Sequence, residues 1–441
     1  MRWTSTPVSD IRGTLKAPGD KSCSHRALIL AALAEGRSEI SGLLEGDDVR
    51  NTASAMAALG ADIDQDTAGQ WIVTGVGKKG LRSPTQDLDF GNSGTGSRLI
   101  MGAIAGYPIK ATLVGDQSLS SRPMARVIEP LQRMGARFEA SPGLRLPLTE
   151  EGSSRLRAIS YTPPHASAQV KSCLLLAGLR AEGVTEIHEP RQTRDHSERM
   201  LRGFGVTVDV SRNGAASHVS IEGGQSLIAQ RTDVPGDPSS VAFLAAAAIL
   251  SPRGGLLAEG VMSNPTRDGV FRALEMMGAR IGAEETGLAA GERLIDMSFE
   301  SSELTGIAVP DALVPSMIDE FPILAVLAAF ASGETRVSGA RELRVKESDR
   351  ISAIISMLRC NGVDVEESDD GFTIQGCGGA VPGGGLVETR HDHRIAMSAL
   401  IMGTAAQNPV TIDDASMIAT SYPNFFQDMQ ALGANLSPGR T

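Results

Sequence analysis

Apolar positions along this chain fall into two interleaved ladders. In the first, runs that are apolar on every side recur six times: RALILAALA (26–34), RLIMGAIAG (98–106), VKSCLLLAGL (170–179), SVAFLAAAAIL (240–250), FPILAVLAAFA (321–331) and RIAMSALIMGTA (394–405). A helix with no polar face belongs in a core. In the second ladder, amphipathic stretches such as VRNTASAMAA and RVIEPLQR lead into LGADI at 59, MGARF at 134, FGVTV at 204, MGARI at 277, NGVDV at 361 and LGANL at 432. That order reads as surface helix, Gly stop, strand. Each apolar run is followed by a turn and a short strand, as in IKATLVG and VTEIHEP. The predicted unit is buried helix, strand, surface helix, strand, about 73 residues long and repeated six times.

The midpoint stretch RTDVPGDPSS, with two prolines and two aspartates, reads as a crossover between halves of three repeats. The expected domains are 21–235 and 1–20 plus 236–441, the N-terminal segment closing the second half. Aromatic residues are only 4% of the chain while glycines number 49, so the core must be built from small and aliphatic side chains that let backbones approach closely.

Charge and cysteine usage narrow the partners. A net charge of -11 argues against nucleic acid or an anionic membrane as partner. It leaves room for an anionic small molecule, because a local field can oppose the net charge. No apolar run reaches transmembrane length, and MRWTSTPVSDIRG has no secretory apolar core. Cys23, Cys173, Cys360 and Cys377 are scattered, without metal-ligand spacing, which fits a reducing cytoplasm.

The segments preceding the six buried helices are PGDKSCSHR, GNSGTGSR, PHASAQVKS, PGDPSS, PSMIDEFP and ETRHDHR. Helix N-termini leave N–H groups free and carry about half a positive charge, so they suit anions. Ser, Asp, Asn and Gly are ordinary caps, but caps do not call for Lys21, Arg26, Arg98 or Arg394. A cation there opposes the dipole unless an anion lies between them, and this points to an anion site. SLSSRPM adds Arg122, TRDHSER adds Arg194, and RVKESDR adds Lys346, Glu347 and Arg350. Lys346 and Arg350 are four apart and are expected on one helix face. His391 and His393, at i and i+2 beside one Asp, are weak grounds for a metal, and no metal site is expected.

The segments PGDKSCSHR, GNSGTGSR, RPM, SAQVK, RDHSE, NPTR, RVKESDR and HDHRIAM, in this order from about residue 13 to about 430, resemble the 5-enolpyruvylshikimate-3-phosphate (EPSP) synthase family, most closely its bacterial class II branch. The resemblance implies an α/β fold of two similar domains. Each would hold three βαβαββ units around buried parallel helices (an inside-out α/β barrel), with the active site in the interdomain cleft. It implies transfer of the enolpyruvyl group of phosphoenolpyruvate to shikimate 3-phosphate, with release of phosphate, in chorismate biosynthesis. It implies no cofactor and no metal, a cytoplasmic monomer, and small-molecule substrates only.

By the same resemblance, shikimate 3-phosphate binds to Lys21, Ser22, Arg26, Ser167, Ala168, Gln169, Arg194, Asp319 and Lys346. Phosphoenolpyruvate meets Lys21, Gly94, Arg122, Gln169, Arg350 and Arg394. Asp319 is similar to the family's proton acceptor, and Glu347 or Lys21 would be the proton donor. Two positions depart from the family. A C-terminal Lys common in it is replaced by Thr420. The class II branch commonly has Ala where Gly94 stands, and its reduced sensitivity to glyphosate is tied partly to that methyl, so insensitivity does not carry over. The alternatives are a UDP-N-acetylglucosamine enolpyruvyl transferase, whose loop cysteine near the RP motif is missing from GDQSLSSRPMARV, and a non-enzymatic repeat that binds a protein.

Overall fold

The computed structural model describes residues 1–67 and 69–439. The six apolar runs form the helices Lys21–Leu33, Gly94–Ala105, Ala168–Gly178, Pro238–Leu250, Phe321–Phe330 and His393–Ala405. Every residue of Phe321–Phe330 is buried, as a helix without a polar face requires. The amphipathic stretches form Asp47–Ala58, Ala125–Met134, His196–Gly203, Gly269–Met276, Arg350–Cys360 and Phe425–Ala431, each with buried and exposed positions.

The glycines that stop the surface helices all have positive φ, from 80° at Gly362 to 119° at Gly60. A side chain disfavours that left-handed conformation, so the recurring Gly is a backbone requirement of the repeat. Close packing explains another glycine. A Cβ on Gly102 would lie 2.1 Å from the Cys173 carbonyl oxygen, so the second and third buried helices touch backbone to backbone there.

The strands form six small sheets among the described residues. In the second repeat, Leu88–Asp89 pairs parallel with Lys110–Val114. That strand pairs antiparallel with Arg145–Glu151, which pairs antiparallel with Arg137–Ser141. The sequence pattern anticipated one strand after the surface helix, but the structure has a hairpin there, because ASPGLR turns the chain back. A short edge strand also precedes the buried helix, so the repeat is βαβαββ.

The chain divides into two compact units. One comprises Gly19–Pro235 with Leu288–Glu292, and is called here the first unit; the other comprises Met1–Pro18, Gly236–Gly287 and Arg293–Thr441. The first unit takes its closing strand from its own far end, where Arg231–Asp233 pairs parallel with Arg37–Ser41. The second unit takes strands from the start of the chain. Arg12–Lys16 pairs parallel with Gly255–Ser263, and Trp3–Thr6 lies between Val410–Ile412 and Asn435–Pro438. One continuous core fills this unit, from Ile11 through Ala-rich Pro238–Leu250 to Leu436. No described helix is long and apolar enough to cross a membrane.

Candidate active site

In the first unit, three buried helices start at Asp20, Ser93 and Ser167, whose side chains accept from Cys23 N, Gly96 N and Val170 N. Ser93 and Ser167 are neutral caps that leave the dipoles of their helices uncompensated, whereas the Asp20 carboxylate complements that of the first. Two guanidinium groups close over the second start. A Cβ built on Gly94 would lie 2.9 Å from Arg98 Nη1 and 3.1 Å from Arg122 Nη1. Arg98 Nη1 donates to Gln169 Oε1 at 2.7 Å, and Gln169 Nε2 donates to Thr95 Oγ1 at 3.0 Å. Arg122 Nη2 donates to Asn92 Oδ1 at 2.5 Å and to Ser118 Oγ at 3.1 Å. Gly94, Arg98, Arg122 and Gln169 therefore form one contiguous cationic patch.

The first helix start joins the third through Arg26, which is buried. Its Nε donates to Ser197 Oγ at 2.8 Å, Nη2 to Ser172 Oγ at 2.7 Å and Nη1 to the Ser22 carbonyl at 2.9 Å. Its pKa is lowered, chiefly by burial and also by the nearby charge of Arg194. Ser172 lies one turn after Ala168, so Lys21–Arg26, Ser167–Gln169 and Arg194 share one region. Lys21 forms an ion pair with Asp48. Buried His25 donates to or accepts from Thr52 Oγ1 at 2.8 Å. Its pKa is held well below the usual imidazole value by burial, then by Lys21 and Arg26, so this ring stays neutral. Beneath the third helix, Lys171 Nζ pairs with Glu198 at 2.8 Å and Glu189 at 2.9 Å, a fully buried triad.

In the second unit Asp237 and Asp392 cap two of the helix starts, Glu320 holds the N-cap position of the third without a side-chain capping bond, and carboxylates dominate. Arg350, fully buried, meets three of them. Nε lies 2.8 Å from Asp392 Oδ2, Nη1 3.1 Å from Asp319 Oδ1, and Nη2 2.6 Å from Glu347 Oε2. Burial alone would lower its pKa, but Asp392, Glu347 and Asp319 raise it instead. Asp392 is correspondingly lowered by Arg350 against the opposing effect of burial. Lys346 Nζ is 3.5 Å from Asp319 Oδ1, and Arg394 Nη1 donates to the Asp319 carbonyl at 3.1 Å. A second buried chain runs from Arg267 to Asp237 at 2.8 Å and to Ser239 Oγ at 2.9 Å, and Ser239 donates to Glu320. Just before the last helix, Arg390 and His391 both have left-handed φ, 51° and 55°. Each such residue costs about 1–3 kcal/mol and marks a turn held by its surroundings.

Known proteins match this chain along nearly its whole length. The family model for EPSP synthase (3-phosphoshikimate 1-carboxyvinyltransferase) matches residues 5–429. A 3-phosphoshikimate 1-carboxyvinyltransferase from Hyphomonas neptunium is 63% identical over 99% of this chain and 100% of its own. One from Parvibaculum lavamentivorans is 54% identical over 98% and 96%. An EPSP synthase structure from Acinetobacter baumannii superposes with a TM-score of 0.87 at 40% identity, covering 99% of both chains. The chain belongs to the EPSP synthase family.

Within this EPSP synthase family member, the sequence-derived site residues form one group per unit. Lys21, Ser22, Arg26, Gly94, Arg122, Ser167, Ala168, Gln169 and Arg194 lie in the first, and Asp319, Lys346, Glu347, Arg350 and Arg394 in the second. One expectation needs correcting. Lys346 and Arg350 are not on one helix face, because Asp349 caps the helix and Lys346 precedes it in extended backbone. Asp349 accepts from Ser352 N, which fixes the helix start after the lysine. Both cations nonetheless reach the same oxygen, Asp319 Oδ1. Thr420, standing where many relatives carry Lys, donates to the Met417 carbonyl at 2.7 Å and closes its own turn.

Sequence reasoning counted Arg98 among the cations that point to an anion site but assigned it no substrate, and it left Asp392, Glu320 and Arg267 out of the site. Arg98 carried a signal, a cation four residues into a helix whose start already holds an unopposed dipole. The NPTR segment carried Arg267, but its link to Asp237 crosses 30 residues and spacing does not reveal it.

Proposed function

We propose that this chain transfers the enolpyruvyl group of phosphoenolpyruvate to the 5-hydroxyl of shikimate 3-phosphate and releases phosphate, as a cytoplasmic monomer without a cofactor. The observation that carries this reading is the convergence of Arg98 and Arg122 on the Gly94 helix start. Two guanidinium groups beside the positive end of a helix dipole match a compact polyanion such as phosphoenolpyruvate. Family membership gives the reaction that such a site serves.

Both substrates are polyanions, and holding them together costs repulsion. Lys21, Arg122, Gln169 and the Gly94 start bind phosphoenolpyruvate, with Arg350 and Arg394 on its carboxylate. Lys21, Ser22, Arg26, Ser167, Ala168, Gln169, Arg194, Asp319 and Lys346 bind shikimate 3-phosphate. The reaction is addition followed by elimination. Asp319 takes the proton of the 5-hydroxyl as its oxygen attacks C2 of phosphoenolpyruvate, while C3 gains a proton from Glu347 or Lys21. The tetrahedral intermediate then loses a proton from C3 and expels phosphate, restoring the double bond. Positioned acid, base and cations are what such a sequence requires.

Phosphate release from the two substrates tests the reading. Turnover with shikimate 3-phosphate and none with UDP-N-acetylglucosamine is the expected result. The reverse pattern would transfer the chain to the sugar-nucleotide reaction. The proton donor is separated by the pH profile of Glu347→Gln, which loses its alkaline limb if Glu347 donates and keeps it if Lys21 does.

A further inference from the structure

We propose that Glu186, His188 and His218 form a binding site for a divalent transition-metal ion, with Zn2+ the best match to the ligand set. The site lies on the outer face of the third-repeat sheet, away from the residues assigned to the reaction. Strands Val184–Glu189 and Ala216–Glu222 run antiparallel, with His188 directly opposite His218. Alternation along a strand puts Glu186 on the same face, two residues from His188.

The three side chains are already gathered. The imidazole rings stack with centroids 4.6 Å apart and planes 26° from parallel. Glu186 Oε1 is 3.6 Å from His218 Nε2, and Glu186 Oε2 is 4.0 Å from His188 Nε2. One ligand atom from each residue falls within 4.8 Å of the other two. Those separations exceed a hydrogen bond. They approach the edge of a zinc tetrahedron, about 3.3–3.5 Å for metal–ligand bonds of about 2.0–2.2 Å.

Closing the set onto an ion takes side-chain movement of well under 1 Å for the pair nearest Glu186, roughly the difference between these lengths. His218 Nε2 is shielded from water and has no hydrogen-bond partner among the described residues. Buried ring nitrogens are normally partnered, and a metal would partner this one. Ser160 Oγ, 2.9 Å from His188 Nε2, stands beside the fourth position.

A second cluster, Asp195, His196 and Glu292, has similar spacing but is occupied by a cation of the chain itself. Arg199 Nε lies 3.0 Å from Asp195 and 3.5 Å from Glu292. No arginine stands in that way among the ion pairs at Glu186, His188 and His218.

A bound ion would staple two neighbouring strands. The inner face of the same strands carries Glu189 and Ser217, which hydrogen-bond at 2.6 Å and hold Lys171. The staple would therefore stiffen the sheet that anchors the third buried helix.

Full-length protein, stripped with a chelator and desalted, is titrated with Zn2+ by calorimetry. We expect one equivalent to bind with a Kd of about 1–10 µM. The double variant His188→Gln, His218→Gln should weaken this at least about tenfold. Electron paramagnetic resonance of one equivalent of Cu2+ should show two nitrogen ligands in the wild type and lose both in the double variant. Cys360→Ser, which removes an exposed thiol, should leave binding unchanged. Absence of binding at 100 µM Zn2+ (about tenfold above the expected Kd), unchanged affinity in the histidine variant, or loss of binding in Cys360→Ser would each overturn the proposal.

Discussion

The two units repeat one architecture and differ in what surrounds their cations. In the first, Arg26 donates to two serine hydroxyls and a carbonyl, Arg98 to Gln169, and Arg122 to Asn92 and Ser118. In the second, Arg350 meets three carboxylates, Arg267 meets Asp237, and Arg394 lies 3.5 Å from Glu320. Neutral partners orient a guanidinium without cancelling its charge. Carboxylate partners cancel the charge and are themselves held in place. Lys21, paired with Asp48, is the exception in the first unit, and in the second Lys346, Arg350 and Arg394 stand among carboxylates that they hold in place.

Arginine removal should break this contrast most visibly. Arg350→Ala strands buried Asp392 and the paired Glu347, so it should cost about 3–5 kcal/mol of stability. Arg122→Ala leaves Asn92 and Ser118, both neutral. It should cost much less stability and instead lower kcat/KM for phosphoenolpyruvate by about 10–100-fold, the value of a charge-assisted bond. Denaturant unfolding together with steady-state kinetics reads both. Similar stability losses for the two variants would erase the distinction.

Asp319→Asn keeps the shape of the second cluster and removes one acceptor. Turnover should fall about 10²–10⁴-fold with little change in melting temperature. Near-wild-type phosphate release would remove Asp319 from the role of base.

Glu150, on strand Arg145–Glu151, sharpens the picture of the first unit from its interior. It is fully buried, and neither carboxylate oxygen has a hydrogen-bond partner among the described residues. Burial pushes its pKa well above the usual range. With a raised folded value, the stabilising contribution is intact below the unfolded pKa of about 4.3 and is lost as pH rises through the folded value. Glu150→Gln stays neutral throughout. It should therefore gain on the wild type by about 1–3 kcal/mol toward pH 8 and show little gain near pH 4. Melting temperature across that range is the measurement, and a gap independent of pH would mean that Glu150 does not titrate as argued.

Gly94→Ala is the smallest change. Its methyl meets the far ends of two arginine side chains, which can shift by a few tenths of an ångström, and lies at ordinary contact distance, 3.7 Å, from Leu119 Cδ1. The KM for phosphoenolpyruvate should rise only a few-fold, roughly 1 kcal/mol or less, and inhibition by the longer glyphosate should weaken more. Equal losses for both would show that the methyl does not discriminate by length.

Much of this architecture was legible in the chain. The six apolar runs and six glycine stops gave the helices, and the strand after each apolar run followed, because periodicity and backbone conformation are local. The hairpin after each of the first five surface helices was not legible, since its turn residues differ from repeat to repeat. At the site, the cations Lys21, Arg26, Arg98 and Arg394 announced themselves by opposing helix dipoles. The bond between Arg98 and Gln169 joins two buried helices 71 positions apart, and the buried Arg350–Asp392 pair spans 42. Such contacts depend on tertiary packing and leave no periodic trace. The expected shared helix face of Lys346 and Arg350 failed for a local reason, the cap at Asp349.

The strand Trp3–Thr6 has a consequence for synthesis. Its partners Val410–Ile412 and Asn435–Pro438 are made about 400 residues after it. At ribosomal speeds of about 5–20 residues per second, it waits roughly 20–90 s before its sheet can assemble. The first unit, nearly continuous in sequence, can meanwhile assemble most of itself on the ribosome. The nascent chain therefore passes through a period in which one half is largely folded and a Trp-bearing interior strand of the other is unpaired on both sides, a natural point for chaperone engagement.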